Sequence, residues 1–219
     1  MATMRTYGDG CGIAHALDLI GERWALLVVR ELLLGPKRFT DLRDGLPNVS
    51  PNVLSQRLRE LEEAAVVQRR KLPPPAGSWI YELTGWGYEL KPVVLSLGTW
   101  ALRSPAFPRD TPVSNDSVVL ALGTFFDAEA ADDLDVRYEL RLGDSTFHVR
   151  VAGGTIELGR EPTGEPDAVI GTDAETLRSL IWDDRDLADA LSAGEITIDG
   201  DDRALGRFLE LFPQPEAAA

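Results

Sequence analysis

The sequence predicts an α+β chain of two domains, and three observations predict it. Charge is unevenly split: the 219 residues carry a net charge of −14, but residues 1–104 hold 13 Lys+Arg against 11 Asp+Glu, whereas residues 105–219 hold 9 against 25. Apolar residues recur at helical spacing through most of the first half and alternate at strand spacing through much of the second. Between them lies "RSPAFPRDTPVS", whose prolines and lack of periodicity mark a linker. Domains are therefore expected over residues 1–103 and 116–219 with a linker over 104–115, each long enough to bury its own core.

In the first half Ile13, Ala16, Leu17 and Ile20, then Trp24, Leu27, Val28 and Leu32, fall on helical faces that Gly21 divides into two helices. "GPKRFTDLRDGLPNVS" opens at a Gly-Pro stop and holds a short helix, about Phe39 to Gly45, closed by Gly45 and Pro47. Ser50-Pro51 reads as an N-cap followed by proline at the first helical position. The helix it starts places Leu54, Leu58 and Leu61 on one face, so Asn52, Ser55, Gln56 and Arg59 point elsewhere. "VVQRRKL" and "SWIYEL", joined by "PPPAG", predict a two-stranded hairpin, and one long helix from about Gly85 to Leu102 follows.

The second half opens with a helical stretch, "SVVLALGTFFDAEAA". "DVRYELRLGD", "STFHVRVAGG" and "TIELGREP" then alternate between glycine turns as an antiparallel meander. A strand "DAVIGTD", two helical pieces, a strand "EITIDGD" and a helix "DRALGRFLELF" complete it, ahead of the low-complexity tail "PQPEAAA".

Several functions are set aside by what the sequence lacks. No window approaches the roughly 18 consecutive apolar residues of a membrane span, and the N-terminus has no signal-peptide run, so a cytoplasmic protein is expected. His15 and His148 are the sole histidines, with no metal-ligand spacing, nucleophile elbow or phosphate loop, so no cofactor, metal or catalytic group is expected. The acidic pairs Asp132 with Asp133, Asp183 with Asp184 and Asp201 with Asp202 read as solvated turns and caps, because neighbours in sequence do not face one site.

Helix, helix, short helix, turn, polar-faced helix and hairpin is the order of a winged helix-turn-helix, in which one helix enters the major groove and flanking groups hold phosphates. Asn52, Ser55 and Gln56 are candidates for base edges, with Ser50 at the helix start. Lys37 and Arg38, Arg57 and Arg59, and Arg69, Arg70 and Lys71 on the hairpin are candidates for phosphate. Glu60, Glu62 and Glu63 partly cancel that charge, but they lie in the later helical turns, away from the groove end.

The run "CGIAHALDLIGERWALLVVRELLLGPKRFTDLRDGLPNVSPNVLSQRLRELEEAAVVQRR" followed by "YELTGWG" resembles the HxlR-type winged helix-turn-helix regulators of bacteria over residues 11 to 102. The resemblance implies a homodimer on a pseudo-palindromic double-stranded operator, and repression as the commoner outcome. It assigns a dimer role to Ile13, Ala16, Leu17 and Ile20 with Val93, Val94, Leu97 and Trp100. It also makes Cys11 a candidate redox-sensing thiol, although Gly12 stands where the family usually has proline. The phrases "DAVI" and "AGEITIDGDDRALGRFLEL" resemble the sterol carrier protein fold, antiparallel strands with helices and an apolar pocket. Phe125, Phe126, Leu177, Leu180, Ile181, Trp182, Leu187, Leu191, Phe208 and Leu211 are the candidates to line it, and an ordinary core is the other reading of the same residues.

Together these predict a one-component regulator, with an acidic effector half kept off DNA and a small apolar ligand as modulator. A lipid or small-molecule carrier whose first half only dimerises is the alternative.

Overall fold

The computed structural model describes residues 6–108, 111–131, 133–162, 164–200 and 203–213. Residues 109–110 of the expected linker, the tail from 214, and Asp132, Asp201 and Asp202 of the acidic pairs lie outside the described residues. The chain divides into two compact units, Met1–Val94 and Leu95–Ala219. Among the described residues no helix is long and apolar enough to cross a membrane.

The first unit runs α1 (Gly12–Ile20), α2 (Ala25–Leu32), α3 (Phe39–Gly45), α4 (Pro51–Glu63), β1 (Val67–Lys71), β2 (Trp79–Leu83), α5 (Gly85–Tyr88) and the first turn of α6 (Lys91–Leu102). Its core forms where the apolar stripes converge: Val28, Val29 and Leu32 of α2, Leu42 of α3, and Leu54, Leu58 and Leu61 of α4 are fully buried. Each such side chain contributes about 1.5–3 kcal/mol on leaving water. Gly21 ends α1 as expected, its N–H donating to Leu17 O at 2.9 Å. The residue before α2 is less legible, for Trp24 takes a left-handed φ of 78°, an uncommon conformation for a bulky side chain.

The single helix expected over Gly85 to Leu102 is two. Leu90 O already accepts the N–H of Val94 at 2.9 Å, so a new helix starts there, with Pro92 in its first turn. A proline is tolerated at that place, where its missing N–H has no intrahelical acceptor, and it opposes continuation from the preceding residues.

The second unit contains α7 (Asn115–Thr124), β3 (Asp135–Leu142), β4 (Ser145–Ala152), β5 (Thr155–Gly159), β6 (Ala168–Thr172), α8 (Ala174–Trp182), α9 (Leu187–Ser192), β7 (Thr197–Gly200) and α10 (Arg203–Glu210). Ser114 and Asp173 cap α7 and α8 by accepting the N–H groups of Ser117 at 3.2 Å and Thr176 at 2.8 Å. β3, β4 and β5 are the predicted antiparallel meander. The sheet as a whole is mixed, in the order β5-β4-β3-β6-β7, because β6 pairs parallel to β3. That corrects the all-antiparallel expectation. The chain leaves β5 at one edge and returns beyond β3, where Asp167 N donates to Arg137 O at 2.8 Å and Arg137 N to the Asp167 carboxylate at 2.8 Å. Tyr138, Leu140 and Leu142 of β3 with Phe147, Val149 and Val151 of β4 form the buried sheet face. Phe208 of α10 packs edge-on to Tyr138 at 5.0 Å and to Phe212 at 5.1 Å.

Candidate nucleic-acid interface

α4 follows α3 through the tight turn Leu46 to Ser50, with Leu46 and Val49 buried beneath it. Ser50 accepts the N–H of Val53 at 3.4 Å and Pro51 opens the helix, so local chemistry alone fixes where α4 begins. Because its leucines are consumed by the core, Ser50, Asn52, Ser55, Gln56 and Arg59 are all exposed. The Gln56 amide donates to Glu60 Oε1 at 2.9 Å, an i, i+4 contact that a base edge must compete with.

Two of the expected phosphate contacts are spent inside the fold. Arg57 is buried, its guanidinium paired with Glu60 and, at 3.5 Å, with Glu22. Lys37 is also buried, its Nζ 2.6 Å from Glu31 Oε2, and Glu31 is fully buried. The same carboxylate takes Arg30 at 2.7 Å on its other oxygen. A Cβ at position 45 would lie 2.2 Å from Glu31 Oε2, so a side chain there would displace the carboxylate. Lys37 also exchanges backbone hydrogen bonds with Tyr81 at 2.9 and 2.8 Å, which ties the loop before α3 to the hairpin. Lys37 is thus held within the unit at both its side chain and its backbone.

The hairpin sorts its cations by face. Register pairs Arg69 with Tyr81 and Lys71 with Trp79, which puts all four on one side, and Gln68 with Glu82 and Arg70 with Ile80 on the other. On the second side Arg70 forms a bidentate pair with Glu82, at 3.1 Å from Nε and 3.0 Å between Nη2 and Oε2. That hydrogen bond raises the Arg70 guanidinium further above its ordinary range and holds the Glu82 carboxyl below its own. Arg70 is therefore already paired with a carboxylate, with half of its side chain still exposed. On the first side the Arg69 guanidinium stacks 4.2 Å from the Trp79 ring centroid and 5.9 Å from that of Tyr81. Arg38, Arg59, Arg69 and Lys71 remain exposed with no carboxylate partner among the described residues. Sequence reasoning passed over Trp79, though a tryptophan two residues before Tyr81 on one strand face was the available signal.

Of the residues assigned to a dimer, Ile13 is 73% exposed, Trp100 75%, and Ala16, Leu17, Val93 and Leu97 are exposed as well. Val94 is half-buried, and Ile20 is buried within its own unit, so its apolar surface is already covered. Cys11 is exposed at the N-cap of α1; the backbone N–H of Ala14, then that of Ile13, holds its thiol below the ordinary range by favouring the thiolate.

The residues expected to line a pocket in the second unit divide. Leu177, Phe208 and Leu211 are fully buried core, Leu180 and Ile181 are buried in α8, and Leu187 is half-buried. Leu191 is exposed on α9, where Ala190 is the buried residue. Phe125 and Trp182 meet edge to face at 5.8 Å, and Phe126 meets Phe212 at 6.4 Å. The Trp182 indole N–H is buried with no acceptor among the described residues.

Comparison with known proteins adds a family. Residues 19–105 match the HxlR-like helix-turn-helix model, and residues 112–218 match the model of the alkyl sulfatase C-terminal region. The HTH-type transcriptional regulator YvaP of Bacillus subtilis is 41% identical over 94 residues, 42% of this chain and 87% of YvaP. YodB, an HTH-type transcriptional regulator of the same organism, is 38% identical over 39% of this chain and 77% of its own length. The solved structure of the reduced form of YodB aligns at 35% identity over 44% of this chain and 95% of that one, with a TM-score of 0.40. With a reading helix, a wing and relatives matched over most of their length, the chain belongs to the HxlR-like helix-turn-helix family of transcriptional regulators.

Proposed function

We propose that two copies of this chain bind a pseudo-palindromic operator in the cytoplasm and repress transcription, without catalytic activity. The observation that carries the reading is the outward face of α4, where Asn52, Ser55, Gln56 and Arg59 are exposed over a fully buried leucine stripe. On this reading residues 1–103 bind DNA and dimerise, 104–115 link, and 116–219 hold an effector. Arg38, Arg59, Arg69 and Lys71 supply phosphate contacts, Ser50 and the three short or amide side chains face the groove, and Lys37, Arg57 and Arg70 position the elements that do so. The exposed apolar rows of α1 and α6 support the dimer, which sets half-sites about one helical turn apart.

The second domain is proposed to bind a small apolar molecule with one acceptor group, in the manner of a sterol carrier protein. The half-buried aromatic pair Phe125 and Trp182 and the unsatisfied indole N–H support it, since a buried donor gains by finding an acceptor. Cys11, exposed and acidified at a helix start, is the proposed oxidation-sensitive group. Titrating the purified chain against duplex DNA from upstream of its own gene, at two salt concentrations and beside a scrambled duplex, tests the regulator. Selective binding that weakens steeply with salt is expected. Equal or absent binding on both duplexes, at low salt, would favour the carrier.

A further inference from the structure

The first unit contains a cavity of about 220 Å³, open on one side, that the reading face does not use. Ala16 and Leu19 of α1, Val66, and Trp86, Leu90 and Glu89 around α5 line it. Its geometry is built into the backbone. Thr84 Oγ1 accepts the N–H of Gly87 at 2.9 Å and donates to Ala65 O at 2.7 Å, drawing α5 down onto the start of β1. A Cβ at Gly87 would lie 2.1 Å from Val66 O, so this approach admits only glycine. Trp86 is thereby held at the rim with half of its surface exposed.

The chemistry of the lining selects a ligand. An apolar cavity of roughly 150 Å³ is large enough for benzene, so this one has room for a single ring with a short arm. The cavity wall also carries the indole of Trp86, a ring that attracts cations, and Glu89, whose carboxylate has no ion pair or hydrogen bond among the described residues. We propose that this cavity binds a small aryl ammonium ion, its ring against Ala16, Leu19 and Leu90 and its nitrogen between Trp86 and Glu89. Because the ligand lies between α1 and α5, it biases the angle at which α1 is presented to a second copy. That consequence rests on the regulator reading, whereas the binding itself does not.

The test follows the indole N–H signals of the full-length chain, ¹⁵N-labelled, during titration with benzyltrimethylammonium, with benzyl alcohol and benzoate as neutral and anionic controls. The chain has five tryptophans, and Trp86→Phe identifies the signal of interest. Expected is a saturable shift of the Trp86 signal by the cation, with binding at least about tenfold weaker for benzoate. Glu89→Gln, at an exposed position, weakens the cation about three- to fivefold and leaves benzyl alcohol unchanged, as an exposed charge pair warrants. An amide spectrum shows that the variant is folded. The proposal is overturned if the cation gives no saturable shift at low millimolar concentration, if the three compounds bind alike, or if Glu89→Gln changes nothing. A Trp86 signal silent to every probe means that a second copy fills the cavity, and overturns it equally. Operator binding by the same preparation is measured separately: cation binding without DNA binding would refute the regulator reading and leave this site standing.

Discussion

α4 and α6 are close in length, 13 and 12 residues, and end in opposite states. α4 buries Leu54, Arg57, Leu58 and Leu61 within its own chain, so its outward face is polar and free to read a ligand. α6 buries nothing, and Val93, Leu97 and Trp100 stand exposed at i, i+4 and i+7 on one stripe. The first helix buries its apolar stripe within the chain and the second leaves its apolar residues exposed. On the proposed reading the exposed apolar residues of α6 are covered by a second copy, and α4, whose apolar stripe is filled, has its other side left for recognition.

The largest test of that contrast is on α6. Leu97→Asp together with Trp100→Asp should raise the dimer dissociation constant by at least about 100-fold, as expected for charges placed at interface anchors. Sedimentation velocity reads it, and an unchanged mass would make α6 an ordinary surface helix. Next in size is Lys37→Ala, which leaves the buried Glu31 carboxylate with one partner fewer and should cost about 3–5 kcal/mol in denaturant unfolding. The salt dependence of DNA binding by the folded fraction should stay as it was. A stable variant with a shallower salt slope would return Lys37 to the phosphates.

A smaller effect separates the two faces of the hairpin. Arg69→Ala should weaken DNA binding about tenfold and reduce the salt slope by about one, whereas Arg70→Ala should weaken it less than about threefold. Equal losses would contradict the assignment of Arg70 to Glu82. The smallest effect is on pH. Glu82 is held below its ordinary 4.5, first by the hydrogen bond from Arg70, so its contribution to stability is present above that value and fades as pH falls through the lower folded value. Thermal unfolding between about pH 5 and pH 3 should show a slight extra loss in the natural chain that Arg70→Ala removes, slight because the pair is near the surface.

Local chemistry made much of this legible in the sequence. Ser50 and Pro51 announce the start of α4, Gly21 the end of α1, and strict alternation the meander of β3 to β5, because each depends on neighbours in the chain. Non-local pairing was not legible. Nothing near Lys37 or Arg57 says that Glu31 of α2 or Glu22 before it will claim their charges, and Arg70 needed the hairpin register to meet Glu82. The parallel pairing of β6 with β3 likewise depends on where a crossing chain returns, which periodicity does not encode. Pro92 did carry the break between α5 and α6, because it has no N–H to give the Tyr88 carbonyl that an unbroken helix would pair with it.

The most direct test of the central claim is selection of duplexes by the full-length chain from a random pool, followed by titration of the winners at two salt concentrations. The account predicts an enriched pseudo-palindrome with half-site centres about 10–10.5 base pairs apart and affinity that falls steeply with salt. A pool left without enrichment, or binding indifferent to salt, would contradict it.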